Sequence, residues 1–266
     1  SDVCSSDLIY EKLICRFALF RIGNMTLPFS RLAALILIFA SLIALPAIAA
    51  GKSPVVLELF TSQGCSSCPP ADQILGNYAG ADDVIPLSFH VDYWDYIGWK
   101  DTFASKVTTA RQYDYAKSLG QRNVYTPQLV IDGQKHIVGS DERGLRSAIS
   151  QAKSQHTNDT LIKVQDAGGV LKLDVIGARN GPCEAWLFAI DRRHDVAVQR
   201  GENSGNKLAY TNVVRDVHLL GRWDGGARSF EIRHDDISMA KRDGYVIVVQ
   251  SKGQGPVLAA ARHWLN

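Results

Sequence analysis

Two cysteines separated by two residues, Cys65 and Cys68, stand in the run Phe60-Thr61-Ser62-Gln63-Gly64-Cys65-Ser66-Ser67-Cys68-Pro69-Pro70, where a β-rich segment gives way to a helical one. A helix tolerates proline only in its first turn, so Pro69 and Pro70 fix the helix start close to Cys68. Both sulfurs then lie at the amino end of a helix. Unpaired N–H groups and the positive end of the helix dipole stabilise a thiolate there, and Cys-X-X-Cys thiols in such settings titrate anywhere from roughly 3.5 to 7.5. The chemistry this permits is thiol–disulfide exchange, with Cys65 attacking a partner's disulfide and Cys68 attacking the mixed disulfide to release the partner. Other uses of the pair stay open. A zinc half-site needs two further ligands. A structural staple across so short a loop gains only about 2 kcal/mol in the chain-entropy model. A copper site would take His90 or His136 as a third ligand.

The chain that must position this pair has 266 residues, 46% of them hydrophobic and 21% charged, which is an ordinary globular composition large enough for one big domain or two small ones. Its 29 basic and 27 acidic residues leave a formal charge of +2. They are spread along the sequence with no basic stripe, which argues against nucleic acid as a partner. The sequence holds no Gly-rich phosphate loop, and the reading requires no cofactor or metal. Five cysteines, at 4, 15, 65, 68 and 183, are too few and too scattered for a disulfide scaffold.

Residues 32–45 are uncharged, follow Arg31, and lead into Pro46-Ala47-Ile48-Ala49. A short apolar run behind a basic residue, then small residues at alternate positions, is the layout of a signal peptide with cleavage after Ala49. Left uncleaved, Leu32 to Ala50 would anchor the chain in a membrane. Met25 is the only methionine before the apolar run, so 25–49 reads as the signal peptide and 1–24 as a non-native or disordered extension. The expected location is periplasmic or secreted, with membrane contact only through the uncleaved segment.

From Pro54 to about Lys153, strand-like and helix-like patterns alternate in the order βαβαββα. Val55 to Phe60 and Val84 to Val91 read as strands. Asp101 to Leu119 carries Phe103, Val107, Ala110, Tyr113 and Ala116 at steps of three and four, the mark of one buried helical face. Gln128 to Ile131 and Lys135 to Val138 flank Asp132-Gly133, a hairpin signal, and Asp141 to Lys153 reads as a helix with an acidic first turn. After Gln155 helical periodicity gives way to strands separated by turns, including Leu161 to Gln165, Leu171 to Val175, Cys183 to Ile190, Leu208 to Leu220 and Tyr245 to Gln250. That spacing suggests a small antiparallel sandwich over 156–266, behind a first domain at 54–155.

The element order, the Cys-X-X-Cys after the first strand and the later Thr126-Pro127 together resemble the thioredoxin fold over about 100 residues. The runs Glu58 to Asp72, His90-Val91-Asp92-Tyr93-Trp94-Asp95 and Tyr125-Thr126-Pro127-Gln128 resemble, more narrowly, a bacterial family of secreted thioredoxin-like proteins catalogued as domain of unknown function 1223. The expected fold class is therefore an α/β thioredoxin-like fold followed by a small all-β sandwich-like domain. The resemblance implies a cis peptide bond at Thr126-Pro127, facing the cysteines, with the backbone of Thr126 left to pair with a bound peptide. It also brings the loop after Val91 to the same edge, where Tyr93, Trp94, Tyr96 and Trp99 would line a surface for a partner. His90 would polarise the thiols or serve as a buried structural histidine.

Two residues depart from the thioredoxin pattern. Gly64 stands where a tryptophan usually precedes the first cysteine, and Leu59 replaces the buried aspartate. Glu58 is one residue away and so faces the opposite side of its strand, which leaves the second cysteine without its usual proton acceptor. Cys183 opens a strand and reads as a buried thiol. Arg200 to Asn206 reads as a long turn without chemistry. The functional expectation is an exported thiol–disulfide oxidoreductase acting on a thiol- or disulfide-containing protein or small molecule, with Cys65 and Cys68 as the reactive pair. The alternative is a non-catalytic binding or assembly protein of the same fold that handles copper.

Overall fold

Strand β1 (Val55–Thr61) is buried along its whole length, and the alternation of its side chains explains why. Val55, Leu57 and Leu59 enter one core. They meet Ala71 and Leu75 of helix α1 (Pro69–Gly76) and Leu145, Ala148, Ile149 and Ala152 of helix α3 (Glu142–Gln155). Val56 and Phe60 enter the other core, with Leu87 and Phe89 of β2 (Val84–His90) and Tyr115 of helix α2 (Lys106–Ser118). Beyond α2 come β3 (Gln128–Ile131) and β4 (Lys135–Val138), joined at Asp132 and Gly133. Both turn residues have positive φ, 49° and 65°, and Gln134 N–H donates to the Ile131 carbonyl, so the Asp-Gly pair makes the tight hairpin its sequence predicts. This computed structural model describes residues 53–157, 159–177, 181–237 and 241–265. The expected extension at 1–24 and export segment at 25–49 lie outside the described residues.

The second half of the chain contributes β5 (Leu161–Ala167), β6 (Val170–Ile176), β7 (Cys183–Ala197), β8 (Lys207–Trp223), β9 (Arg228–Arg233), β10 (Gly244–Ser251) and β11 (Val257–Trp264). Four of these do not form a separate body. They extend the sheet begun by the first half into one eight-stranded mixed sheet of order β11-β10-β7-β8-β2-β1-β3-β4. Only β5, β6 and β9 form a second sheet, which packs through Leu171, Leu173 and Ile232 on Leu187, Tyr245 and Ile247 of β7 and β10.

The expected fold class, a thioredoxin-like fold followed by a small all-β domain, is therefore corrected to a mostly β protein built on one continuous mixed sheet. The reason lies at the junction of β2 and β8. Pro86 in the middle of β2 reads as a position that resists a neighbour, because it lacks an N–H. The structure makes the join with few backbone bonds. Ser88 pairs with Val213 in a single parallel bridge, Ser88 Oγ donates to the Thr211 carbonyl at 2.8 Å, and Asn212 Nδ2 donates to the Pro86 carbonyl at 2.9 Å. A contact made by side chains more than 120 positions apart leaves no local pattern to read.

Helix α2 shows a second difference. Most of the apolar face read from its sequence is turned outward: Val107 is 53% and Tyr113 48% exposed, and of that face within the helix Ala116 is the residue that is buried. The rest of the buried face is mainly polar, carrying Thr108, Arg111, Gln112 and Tyr115. Arg111 grips Glu58 with two bonds, at 2.5 and 2.9 Å, and also donates to Gln250 of β10 at 3.0 Å. Tyr115 donates to the same carboxylate at 2.5 Å. Four rings, of Phe89, Tyr115, Trp186 and Phe188, surround the guanidinium within 5.6 Å. Burial alone would lower the Arg111 pKa, but the adjoining Glu58 carboxylate outweighs it and holds the group above its usual value. Glu58 does face away from the cysteines, and it ties β1 to the second half of the chain.

Candidate functional site

At the end of β1 the chain turns through Ser62-Gln63-Gly64 into the cysteine pair. The turn is tied down atom by atom. Gly64 N–H donates to Ser62 Oγ at 3.1 Å, Gln63 N–H to Asp101 Oδ2 at 2.8 Å, and Cys65 N–H to the Ser62 carbonyl at 3.1 Å. Ala71 and Asp72 N–H both donate to the Cys68 carbonyl, so α1 begins at Cys68 with Pro69 and Pro70 as its first residues. Cys65 and Cys68 are joined in a disulfide. Their residues are 1% and 0% exposed, so the pair lies beneath the surface. Gly64 permits the cover: a Cβ there would come within 3.1 Å of Ile97 and 3.2 Å of Trp94. A tryptophan at this position would displace the loop that closes the site.

The bond between Thr126 and Pro127 is cis, and it brings Thr126 against the sulfur. Thr126 Oγ1 donates to Cys65 Sγ at 3.2 Å and accepts from Trp94 Nε1 at 2.8 Å, a two-bond relay ending on sulfur. The other residues singled out from the sequence stand around this centre as supports. Trp99 Nε1 donates to Gln63 Oε1 at 2.8 Å. Tyr93 OH donates to Gln112 Oε1 at 3.2 Å, and burial pushes its phenol up to about 12. Tyr96, which is 80% exposed, stacks on Trp94. His90 is fully buried, with Nδ1 bonded to Asp101 Oδ2 at 2.7 Å. Burial opposes charge on Asp101, but His90 and the N–H groups of Gln63 and Phe103 hold its carboxyl below the usual value. His90 thus reaches the cysteine loop through Asp101 and Gln63. His136, the other histidine considered for copper, is bonded to Tyr125 and Gln121. Among the described residues no group of three or more His, Cys, Asp or Glu is placed to hold a metal ion. Cys183 is buried at the start of β7, where burial pushes its thiol up.

Three residues of the site escape a sequence reading. The turn at 200–206, read as having no role, folds over the cysteine loop. Asn203 Nδ2 donates to the carbonyls of both Gln63 and Cys65 at 2.9 Å, and Glu202 Oε2 accepts from Ser66 N–H at 3.2 Å. Nothing in Gly201-Glu202-Asn203-Ser204-Gly205 signals that it meets a segment some 140 positions earlier. The third is Asp72, one helical turn past Cys68 and 5% exposed, whose spacing alone could have drawn notice.

These features define a class of protein: a mixed-sheet domain that holds a buried Cys-X-X-Cys disulfide at the start of a helix, against a cis-proline loop. The chain belongs to the family described as "Protein of unknown function (DUF1223)", whose family model matches residues 56–250. A crystal structure of a protein from Agrobacterium tumefaciens is 33% identical, with a TM-score of 0.72 and coverage of 81% of this chain and 96% of that one. The protein HBP35 of Porphyromonas gingivalis shares the fold at a TM-score of 0.52 with 13% identity, covering 80% of this chain and 76% of its own. No curated protein matches the sequence.

Proposed function

We propose that this chain is an exported thiol–disulfide oxidoreductase that works through Cys65 and Cys68 on a thiol- or disulfide-containing partner. The observation that carries the reading is the Trp94-to-Thr126-to-Cys65 relay. A disulfide sulfur is a weak acceptor, whereas a thiolate draws a charge-assisted bond, so a hydroxyl already aimed at Sγ and polarised by an indole N–H favours the reduced, ionised state of Cys65. The start of α1 acts in the same direction.

From the disulfide form, an external thiolate attacks Cys65 Sγ. The Cys65–Cys68 bond breaks, its electron pair stays on Cys68 Sγ, and that sulfur takes up a proton. A second thiolate from the partner then attacks its own sulfur in the mixed disulfide, leaving the partner oxidised by two electrons and both cysteines as thiols. The reverse sequence reduces a partner's disulfide. Trp99, through Gln63, and Tyr93, through Gln112, hold the frame, and exposed Tyr96 offers the partner a ring to rest on. The test is trapping. A Cys68→Ala variant should accumulate mixed disulfides through Cys65 in an extract of the exported compartment, and a Cys65→Ala variant should accumulate none.

One observation favours a second reading, that of a structural disulfide: both cysteines are inaccessible to solvent. The reduction potential separates the two. A value below about −300 mV belongs to structural bonds, and one within reach of a glutathione buffer belongs to exchange.

A further inference from the structure

Thiol–disulfide exchange at this site needs a proton to arrive at Cys68 when the bond opens and to leave when it closes, at a residue with no solvent contact. Glu58, the nearest carboxylate on β1, is committed to Arg111 on the other face of the sheet. Asp72 stands instead in the first turn of α1, four residues past Cys68, where helical spacing sets side chains on the same face about 5–6 Å apart at Cβ. Both of its oxygens are buried and neither makes a hydrogen bond of good geometry within the chain.

The groups around it are equally uncommitted. Thr61 Oγ1, at the end of β1, faces the Asp72 carboxyl but has no well-formed bond, and Tyr210 OH of β8 and His90 Nε2 of β2 also lack partners. These groups are neighbours: Thr61 is level with His90 in the β1–β2 register, and the His90 and Tyr210 rings are 4.5 Å apart. Asp101 is close enough to add negative charge to this environment. Buried polar atoms are satisfied by protein or by ordered water in almost every protein, so a cluster this size calls for an explanation, and a role in moving a proton is one that fits its place beside Cys68. Asp72 also borders an open groove of about 580 Å³ between α1 and the β7–β8 arm, whose walls include Arg192, Arg193 and Lys207. Asp72 is thus the member of the cluster that lines the groove.

We propose that Asp72 is the proton-exchange residue for Cys68, acting across one helical turn and through the Thr61 hydroxyl. This deepens the redox reading above and rests on it. When an external thiolate opens the disulfide, the Asp72 carboxylic acid gives its proton to the departing Cys68 sulfur and becomes a carboxylate. When the pair closes, the carboxylate takes the Cys68 proton back, the Cys68 sulfur forms its bond to Cys65, and the electron pair of the broken bond leaves on the partner's sulfur. The environment suits an acid that starts protonated. Burial holds the Asp72 carboxyl well above the usual carboxylate range, Thr61 opposes the shift, and Asp101 adds to it.

The experiment uses the reduced protein and dithiodipyridine, which releases one coloured thiopyridone when Cys65 attacks and forms a mixed disulfide, and a second when Cys68 attacks Cys65 Sγ and expels the pyridylthio group still bound there. Asp72→Asn should leave the first release unchanged and slow the second on the order of 10²-fold near neutral pH, the usual contribution of a positioned base. The slowed phase should regain its speed as pH rises toward the ordinary cysteine pKa of about 8.5. A second release in Asp72→Asn with the wild-type rate and pH profile overturns the proposal. The wild-type protein gives an independent check: if its second release climbs steadily with pH up to about 8.5, no internal acceptor is at work and the proposal fails. Absence of the first release removes the redox reading itself, which is a different failure.

Discussion

At the scale of single residues the site rests on two side chains with opposite needs. On the redox reading proposed above Thr126 would serve a charged sulfur, because its hydroxyl is the direct donor to Cys65 Sγ. A hydrogen bond to a charged group is worth about 1.5–3 kcal/mol, so Thr126→Val should raise the Cys65 thiol pKa by about one to two units and slow its alkylation near neutral pH. The pH dependence of iodoacetamide labelling in the reduced protein reads this, and an unchanged profile would remove the relay from the mechanism. Burial favours the neutral form of Asp72. Its folded-state pKa lies above the ordinary carboxylate value of about 3.9, so the folded protein binds this proton more tightly than the unfolded one. Its contribution to stability is complete at low pH and is lost as pH rises through the folded-state value. Asp72→Asn should therefore match wild type near pH 3 and melt progressively higher than it above about pH 4. Equal melting temperatures at every pH would show that the carboxyl carries no such cost.

Among the elements, β1, the cysteine turn and the Asp132-Gly133 hairpin are legible in the sequence because each is set by neighbours a few residues away. Alternating apolar residues, two prolines at a helix start and an Asp-Gly turn are local signals. Helix α2 is legible as a helix, but its buried face is not, because periodicity assumes that the buried face is the apolar one. Arg111 and Gln112 are buried here through specific partners on other strands, which no spacing rule can see. The loop at 200–206 is hidden for the same reason, since Asn203 earns its place through two carbonyls of the cysteine turn. Asn203→Ala leaves those carbonyls without their donor, at a cost of about 1–3 kcal/mol. It should also speed reduction of the disulfide by dithiothreitol, because the cover is no longer fastened. Chemical denaturation and the rate of thiol appearance measure the two effects, and a destabilised variant with unaltered reduction kinetics would mean that the loop is not the barrier.

On the scale of the whole molecule, the two halves are fused by polar contacts in otherwise apolar interiors. The Arg111–Glu58 pair reaches Gln250 on β10, the Asp132 carbonyl accepts from Val257 N–H, and Ser53 Oγ accepts from Ala260 N–H. Removing one partner of a buried ion pair strands the other charge, so Arg111→Ala should destabilise the protein by about 3–5 kcal/mol. Because Glu58 and Gln250 lie on opposite halves of the chain, the loss should appear as one lowered denaturation midpoint for probes in either half. Separate midpoints would contradict a single cooperative sheet. The strands of the second half were recognisable one by one, but their membership of the first half's sheet was not, since Ser88 and Val213 pair across the whole intervening chain.

That lone bridge has a mechanical meaning. Strand β8 lies between β7 and β2, joined to β7 along nearly its full length and to β2 by one backbone pair with two side-chain bonds beside it. A zipper missing most of its teeth at one place opens there first, and the strand on the far side of the gap carries the turn that is bonded to the cysteine loop. Amide deuteration should accordingly run faster at Leu87 and Ser88 than in the middle of β10. Whatever wedges that gap apart, whether a docking partner, heat or a pulling force, would unveil the cysteine pair in the same motion.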